Sequence, residues 1–395
     1  MQQSVPRWFS PLTLFTRAFG QVFIISYVPL TLARAGNHHY LDLGLIYALP
    51  FLMQLLFAPL WGHLLDRHRR LGLVAAIGFL GYALMELGTA FAPGVGAILL
   101  ALAVGGVFVA ALSPAAKWHA LGDADGAAKL SGALQGEAAG WLAGAVVPAA
   151  ASYLGIGLFQ LLAVVGVGTL VLAPLSLRAA KGELGPGRSV RPAPAPLDPA
   201  ALRAAGLAVL GILLQFLSGE TFFSFYGVYL TTFLRGPLWL YSLTLAGTTA
   251  IGLWLYAPAL RLVRRIGTER VLFGTSLWYL VSYLALFLRP SVALAAVVFT
   301  VPAFSFLRVA SSLAFAQAAP QRGGAAMGAF DSAEGIGCSL GGPLSGLVVG
   351  SFGLGALPLV PLTLSALAPW PLWVAQAAAR RRAEVRPPAQ SAGIS

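Results

Sequence analysis

Charge is what this chain has least of. Asp, Glu, Lys and Arg supply 10% of its 395 residues, against 58% hydrophobic residues. Mean hydropathy is +0.81. So little charge cannot clothe a water-soluble surface for a domain of this size. Cysteine occurs once, at Cys338, which excludes an intrachain disulfide and a cysteine-ligated metal. His38 and His39 are adjacent and lack partner ligands, so they read as loop polarity and no metal site is expected. No GxxxxGK[ST] stretch is present to cradle nucleotide phosphates, which argues against an ATP-driven pump. HExxH and any nucleophile–base set are also missing. The chain is expected not to be an enzyme, with no catalytic residue and no cofactor.

What is present is a series of long, nearly charge-free runs. Runs of about 18 or more apolar residues read as membrane-spanning helices, because hydrocarbon forces backbone groups to be satisfied within the segment. The pattern predicts an all-α polytopic membrane protein with spans at 11–33, 42–64, 71–91, 95–115, 130–153, 156–177, 203–233, 239–260, 270–288, 292–316, 326–350 and 354–378. Barrel strands would alternate in character, and these runs do not.

The net charge of +12 then has a topological explanation. Of the 25 basic residues, all but five fall at the N-terminus, in the even-to-odd loops or in the C-terminal tail. The exceptions are Arg34, Arg235 and Arg289 in the opposite loops, and Arg17 and Arg308 within spans. The positive-inside rule places both termini in the cytoplasm of a cell whose inner or plasma membrane holds the protein. Nucleic acid is not needed to account for the charge. Residues 178–202, dense in Pro, Gly and Ala, read as a cytoplasmic linker. They divide a six-helix unit at 1–177 from a second at 203–378, with a tail at 379–395. The units echo each other: GGAAMGAFD (323–331) resembles GAAKLSGALQ (126–135), and LRLVRRIGTER (260–270) stands where GHLLDRHRRLG stands in the first unit.

Twelve spans, a 6+6 duplication and Gly-x-Leu-x-Asp-Arg between spans 2 and 3 resemble the major facilitator superfamily of secondary transporters. The matching positions are Gly62, Leu64, Asp66, Arg67 and Arg70; Arg69 replaces the usual second glycine. In the second unit the glycine is Gly267 and the aspartate position is Arg264. PQRGGAAMG (320–328) and GIGCSLGGPLSG (335–346) also look like the family. The resemblance implies a cytoplasmic gate formed by Gly62, Asp66, Arg67 and Arg70. Gly62 would permit close helix packing, and Asp66 would sit at the start of span 11 near Ala325–Ala326, where a helix N-terminus favours a carboxylate.

Seven ionisable residues fall inside spans: Arg17, Glu86, Glu137, Glu220, Arg308, Asp331 and Glu334. Each costs about 2.5–3.5 kcal/mol or more at mid-membrane, and such residues usually mark function. Acids outnumber bases, and a buried carboxylate without a cation tends to hold a proton. Arg17 and Glu137 lie equally deep and can meet. Asp331 and Glu334 share a face at i, i+3 and lie level with Arg308. Glu220 has no basic partner in sequence and is the first choice for a proton site, with Glu137, Asp331 and Glu334 as further candidates. Glu86, on the peripheral span 3, reads as structural. The resemblance implies a cavity lined by spans 1, 4, 7 and 10. Arg17, Gln21, Tyr27, Gln215, Glu220, Tyr226 and Arg308 are then the expected substrate contacts.

These residues predict a secondary transporter moving a small organic solute by alternating access, driven by the proton gradient. A proton-driven drug or metabolite exporter is the alternative, and a transporter-like sensor is the rival from another class. The expected partners are the solute and the bilayer, with the protein a monomer.

Overall fold

The computed structural model describes residues 6–68, 70–121, 126–179, 199–301, 303–318, 323–374 and 377. Among them there are twelve long helical stretches and no strand. They are α1 Phe9–Arg34, α2 Tyr40–His68, α3 Leu71–Ala90, α4 Val95–Ala120, α5 Gly126–Tyr153 and α6 Leu158–Ala179. The second unit holds α7 Gly206–Phe233, α8 Leu238–Ile266, α9 Thr268–Leu288, α10 Val292–Ala314, α11 Gly323–Phe352 and α12 Leu354–Val374. Eleven are long and apolar enough to cross a membrane; α5, which carries Lys129 and Glu137, is not among them. The chain is an integral membrane protein of two six-helix bundles. The end that bears the start of α1 is called the terminal end, and the end that bears the α1–α2 loop the loop end.

Several helices outrun their apolar spans. α2 continues through Asp66 and Arg67 to His68, and α8 through Arg264 and Arg265 to Ile266. Basic groups in the last turn complement the negative end of a helix dipole, so charge prolongs these helices instead of ending them. α8 stops at Gly267, whose φ of 94° suits glycine.

The bundles repeat the same devices. α1 widens into an i→i+5 turn at Phe23–Tyr27, and α7 does so at Tyr229–Phe233. Such turns recur at functional sites. α4 breaks at Ala110–Ala111, and α10 breaks after Thr300. α5 lays Gly136, Gly140 and Gly144 on α1, where a methyl would collide with Pro11, Phe15 and Phe19. α11 lays Gly337 and Gly341 on α7, against Phe216 and the Glu220–Thr221 backbone, and Ser345 donates to the Thr221 carbonyl at 2.7 Å. Small residues let backbones meet where lipid supplies no hydrophobic drive for association. A second face of α11 packs on α2 of the other bundle. There Gly342 meets the Gly44 backbone and Gly346 that of Tyr40.

Candidate functional site

The site is a polar seam between the two bundles. Toward the loop end it is shut by aromatic hydroxyls. The Tyr27 hydroxyl on α1 donates to the Ala145 carbonyl on α5 and lies 2.9 Å from Ser242 Oγ on α8. Tyr241 on α8 donates back across the seam to the Ser26 carbonyl at 3.3 Å. The Tyr27 and Tyr241 rings meet edge to face, 5.5 Å apart. Tyr226 on α7 stacks on Phe299 of α10 at 3.8 Å and donates to Thr244 Oγ1 at 3.0 Å.

Deeper in, Glu220 on α7 accepts a hydrogen bond from the Tyr47 hydroxyl on α2. This bond joins the bundles. Both side chains are buried, and the Cys338 thiol of α11 lies beside the carboxylate. Gly341 of α11 stands directly against the Glu220 backbone, so α7 and α11 are in close contact where the carboxylate sits.

Toward the terminal end, two ion pairs line the seam. Arg17 on α1 pairs with Glu137 on α5. The same guanidinium donates to Gln54 Oε1 on α2 at 2.9 Å and to Gln21 Oε1 at 3.4 Å. Tyr82 on α3 braces the α1 backbone by donating to the Arg17 carbonyl at 2.6 Å. In the other bundle Arg308 on α10 pairs with Glu334 on α11 at 3.1 Å, beside Tyr256 of α8. The Arg308 side chain is 39% exposed and that of Arg17 10%, so Arg308 offers more free surface to a solute. Glu137 lies within electrostatic reach of Arg308, which sets the two pairs facing one another.

The residues expected from sequence thus divide. Arg17, Gln21, Glu137, Glu220, Arg308 and Glu334 come together along the seam. Tyr27 and Tyr226 belong to its shut end. Gln215 departs from the expectation: its amide donates to the Leu272 carbonyl at 2.8 Å and engages Ser276 and Thr275, so it is turned onto α9. A buried amide takes the nearest full set of partners, and α9 supplies them. Glu86 is fully buried between Gly20 of α1 and Gly166 of α6, off the seam. The side chains of Asp66 and Asp331 lie outside the described residues. Tyr47, Gln54, Tyr256 and Cys338 were not expected. Tyr47 and Gln54 stand at i, i+7 on α2, a polar face in an apolar run, and that spacing was the available signal.

Solved structures share the fold over nearly the whole chain. A bacterial homologue of the human lysosomal transporter Spinster, in an inward-facing and occupied conformation, superposes with a TM-score of 0.76 at 14% identity. The match covers 94% of this chain and 96% of that one. The nucleoside transporter NupG gives 0.71 at 16% identity, covering 94% and 98%. The peptide transporter POT in complex with sulfate gives 0.72 at 13% identity, covering 96% and 97%. This is the major facilitator fold. No protein-family model matches the chain, and no curated protein matches it by sequence.

One gate expectation drawn from the major facilitator resemblance is corrected. A methyl placed on Gly62 would meet nothing within 4 Å, so this glycine does not serve close packing in the conformation described. The bundles touch through Gly44 and Gly342 near the loop end, and α2 stands clear at Gly62, near the terminal end. Arg67 and Arg70 are exposed there.

Proposed function

We propose that the protein is a secondary active transporter that carries a small polar organic solute by alternating access, coupled to protons through Glu220. The single observation behind this reading is the Tyr47–Glu220 hydrogen bond across the bundles. A carboxylate that accepts this bond holds the loop end shut, since hydrogen bonds to an ionised group are roughly twice as strong as neutral ones. Opening the loop end breaks the bond and strands the acid, and an unpaired buried polar group costs about 1–3 kcal/mol, more when charged. Proton binding removes that obstacle. The loop end therefore opens with a protonated Glu220 and closes when the proton leaves.

Solute binding falls to the terminal-end ion pairs. Arg308 and Glu334 supply donors and acceptors on one wall, and Arg17, Gln21, Gln54 and Glu137 on the other. Both signs of charge and two amides suit a solute rich in hydrogen-bonding groups. In this reading the terminal end faces the cytoplasm, which the basic residues at that end support. The same reading makes this conformation inward-facing, and the fit to the inward-facing Spinster homologue supports it.

The test begins with thermal-shift measurements on purified protein against sugars, nucleosides, amino acids and organic acids. A ligand at a hundredfold excess over its Kd stabilises by about 2.7 kcal/mol. Uptake of the stabilising solute is then followed in vesicles with and without a pH gradient. Wild type should accumulate it uphill, and Glu220→Gln should exchange it without accumulation. Equal gradient dependence in the two proteins would refute the role of Glu220.

A further inference from the structure

A groove on the outer face of the second bundle has no part in the transport route. It lies between the terminal-end half of α8, the first turns of α9 and the break in α10, and holds a cavity of about 280 Å³. Its walls include Leu255, Leu262, Val271, Trp278, Val301 and Phe306. Gly274 forms the floor, where a methyl would meet nothing within 4 Å. The break in α10 helps shape it: Val301 turns extended, with ψ of 107°, before the helix resumes at Ala303.

Water does not suit this space. A buried water needs two to four polar partners, and the lining offers three polar side chains, Arg270, Thr275 and Trp278, the last a single N–H donor. The Thr275 hydroxyl is already engaged by the Leu272 carbonyl and Gln215. That leaves the Trp278 indole and Arg270, which lies in the first turn of α9 and is exposed. Trp278 stands eight residues further on, about 12 Å along the helix. The groove is thus an apolar slot in the hydrocarbon zone with one cation at its terminal end. Arg261, Arg264 and Arg265, all exposed, crowd the same end, with Glu269 the one acid beside them in sequence among the described residues. Arg308 is not available to this face, because it pairs with Glu334 in the seam.

We propose that the α8–α9–α10 groove binds one anionic phospholipid, an acyl chain lying between Leu255 and Trp278 and the phosphate resting on Arg270. The lining selects hydrocarbon, and Arg270, the one basic residue in that lining, selects the headgroup. Basic residues at a membrane surface are worth about 1 kcal/mol each toward anionic lipid. A bound lipid would fix α9 against α8 and α10 from outside the transport route.

The full-length protein, purified in detergent, is exposed to equal amounts of phosphatidylglycerol and phosphatidylcholine of matched chains and examined by native mass spectrometry. Wild type should retain phosphatidylglycerol about fivefold over phosphatidylcholine, and Arg270→Ala should bring the ratio to about one. Arg270→Lys should keep the preference. Gly274→Leu, which fills the slot, should lose both lipids while the elution profile and melting temperature of the protein hold. Glycerol 3-phosphate, a headgroup without a tail, should not displace the lipid. Equal retention of phosphatidylglycerol by wild type and Arg270→Ala, or unchanged retention by Gly274→Leu, would overturn the assignment. So would displacement by glycerol phosphate alone.

Discussion

Arg17 shows how one residue can organise a wall of the seam. Its guanidinium serves an acid on α5 and amides on α1 and α2, so three helices converge on a single cation. Arg17→Ala removes the partner of a mostly buried carboxylate. That should cost about 3 kcal/mol, the low end for a broken buried pair because Glu137 keeps some exposure. Thermal melting of the purified variant reads the loss. The double variant Arg17→Met, Glu137→Leu should recover most of it, since an apolar pair of similar volume leaves no charge stranded. At Glu220 the corresponding change is Tyr47→Phe, which deletes one hydroxyl. The neighbouring Cys338, 5% exposed in the closed seam, reports the outcome. Maleimide labelling of Cys338 should quicken by about fivefold or more, the equivalent of about 1 kcal/mol of lost closure. These pairs were partly legible before the fold was known. Arg17 matched Glu137 in depth, and Arg308 matched Glu334, because charge inside hydrocarbon must find charge. Tyr47 and Gln54 were less so: their i, i+7 spacing marks one face of α2, but not which helix that face meets. Gln215 misled for the same reason, and only the position of α9 decides its partners.

At the scale of helices, glycine placement carries the argument. α11 is a helix with two seams, one of Gly337 and Gly341 toward α7, the other of Gly342 and Gly346 toward α2. The first is within a bundle and must hold through the proposed cycle. The second joins the bundles and must open. Gly342→Leu should therefore pry α2 from α11 at the loop end, leave α11 on α7, and raise Cys338 labelling without unfolding the protein. Gly341→Leu drives a side chain into the α7 backbone and should lower the melting temperature instead. The apolar runs foretold the helices well, since a stretch without charge in a membrane has few other options. Their ends were less legible. α2 and α8 run on through arginines, because long basic side chains reach the interface while their helix continues. The breaks in α4 and α10 fall where proline dictates, and hydropathy alone does not record them: Pro114 has no N–H for the Ala110 carbonyl one turn back, and Val301, which turns extended, directly precedes Pro302 in sequence.

Across the whole molecule, the loop end is knit by Tyr27–Ser242, Tyr241–Ser26 and Tyr47–Glu220, while Gly62 near the terminal end stands free. The two-bundle plan was legible from the proline-rich stretch at 178–202 and from repeated motifs. Which end is closed was not, because a sequence holds every conformation of the cycle at once. The account therefore stands on the bundles rocking as Glu220 gains and loses a proton. Paired spin labels can follow that motion in a Cys338→Ser background. One pair at His38 and Thr232 reads the loop end, and one at His68 and Arg265 reads the terminal end. Acidification should lengthen the first distance and shorten the second, and in Glu220→Gln the two distances should be distributed alike at acid and alkaline pH. Distances that stay fixed in wild type at both pH values, or that move in Glu220→Gln as they do in wild type, would show that Glu220 is not the switch.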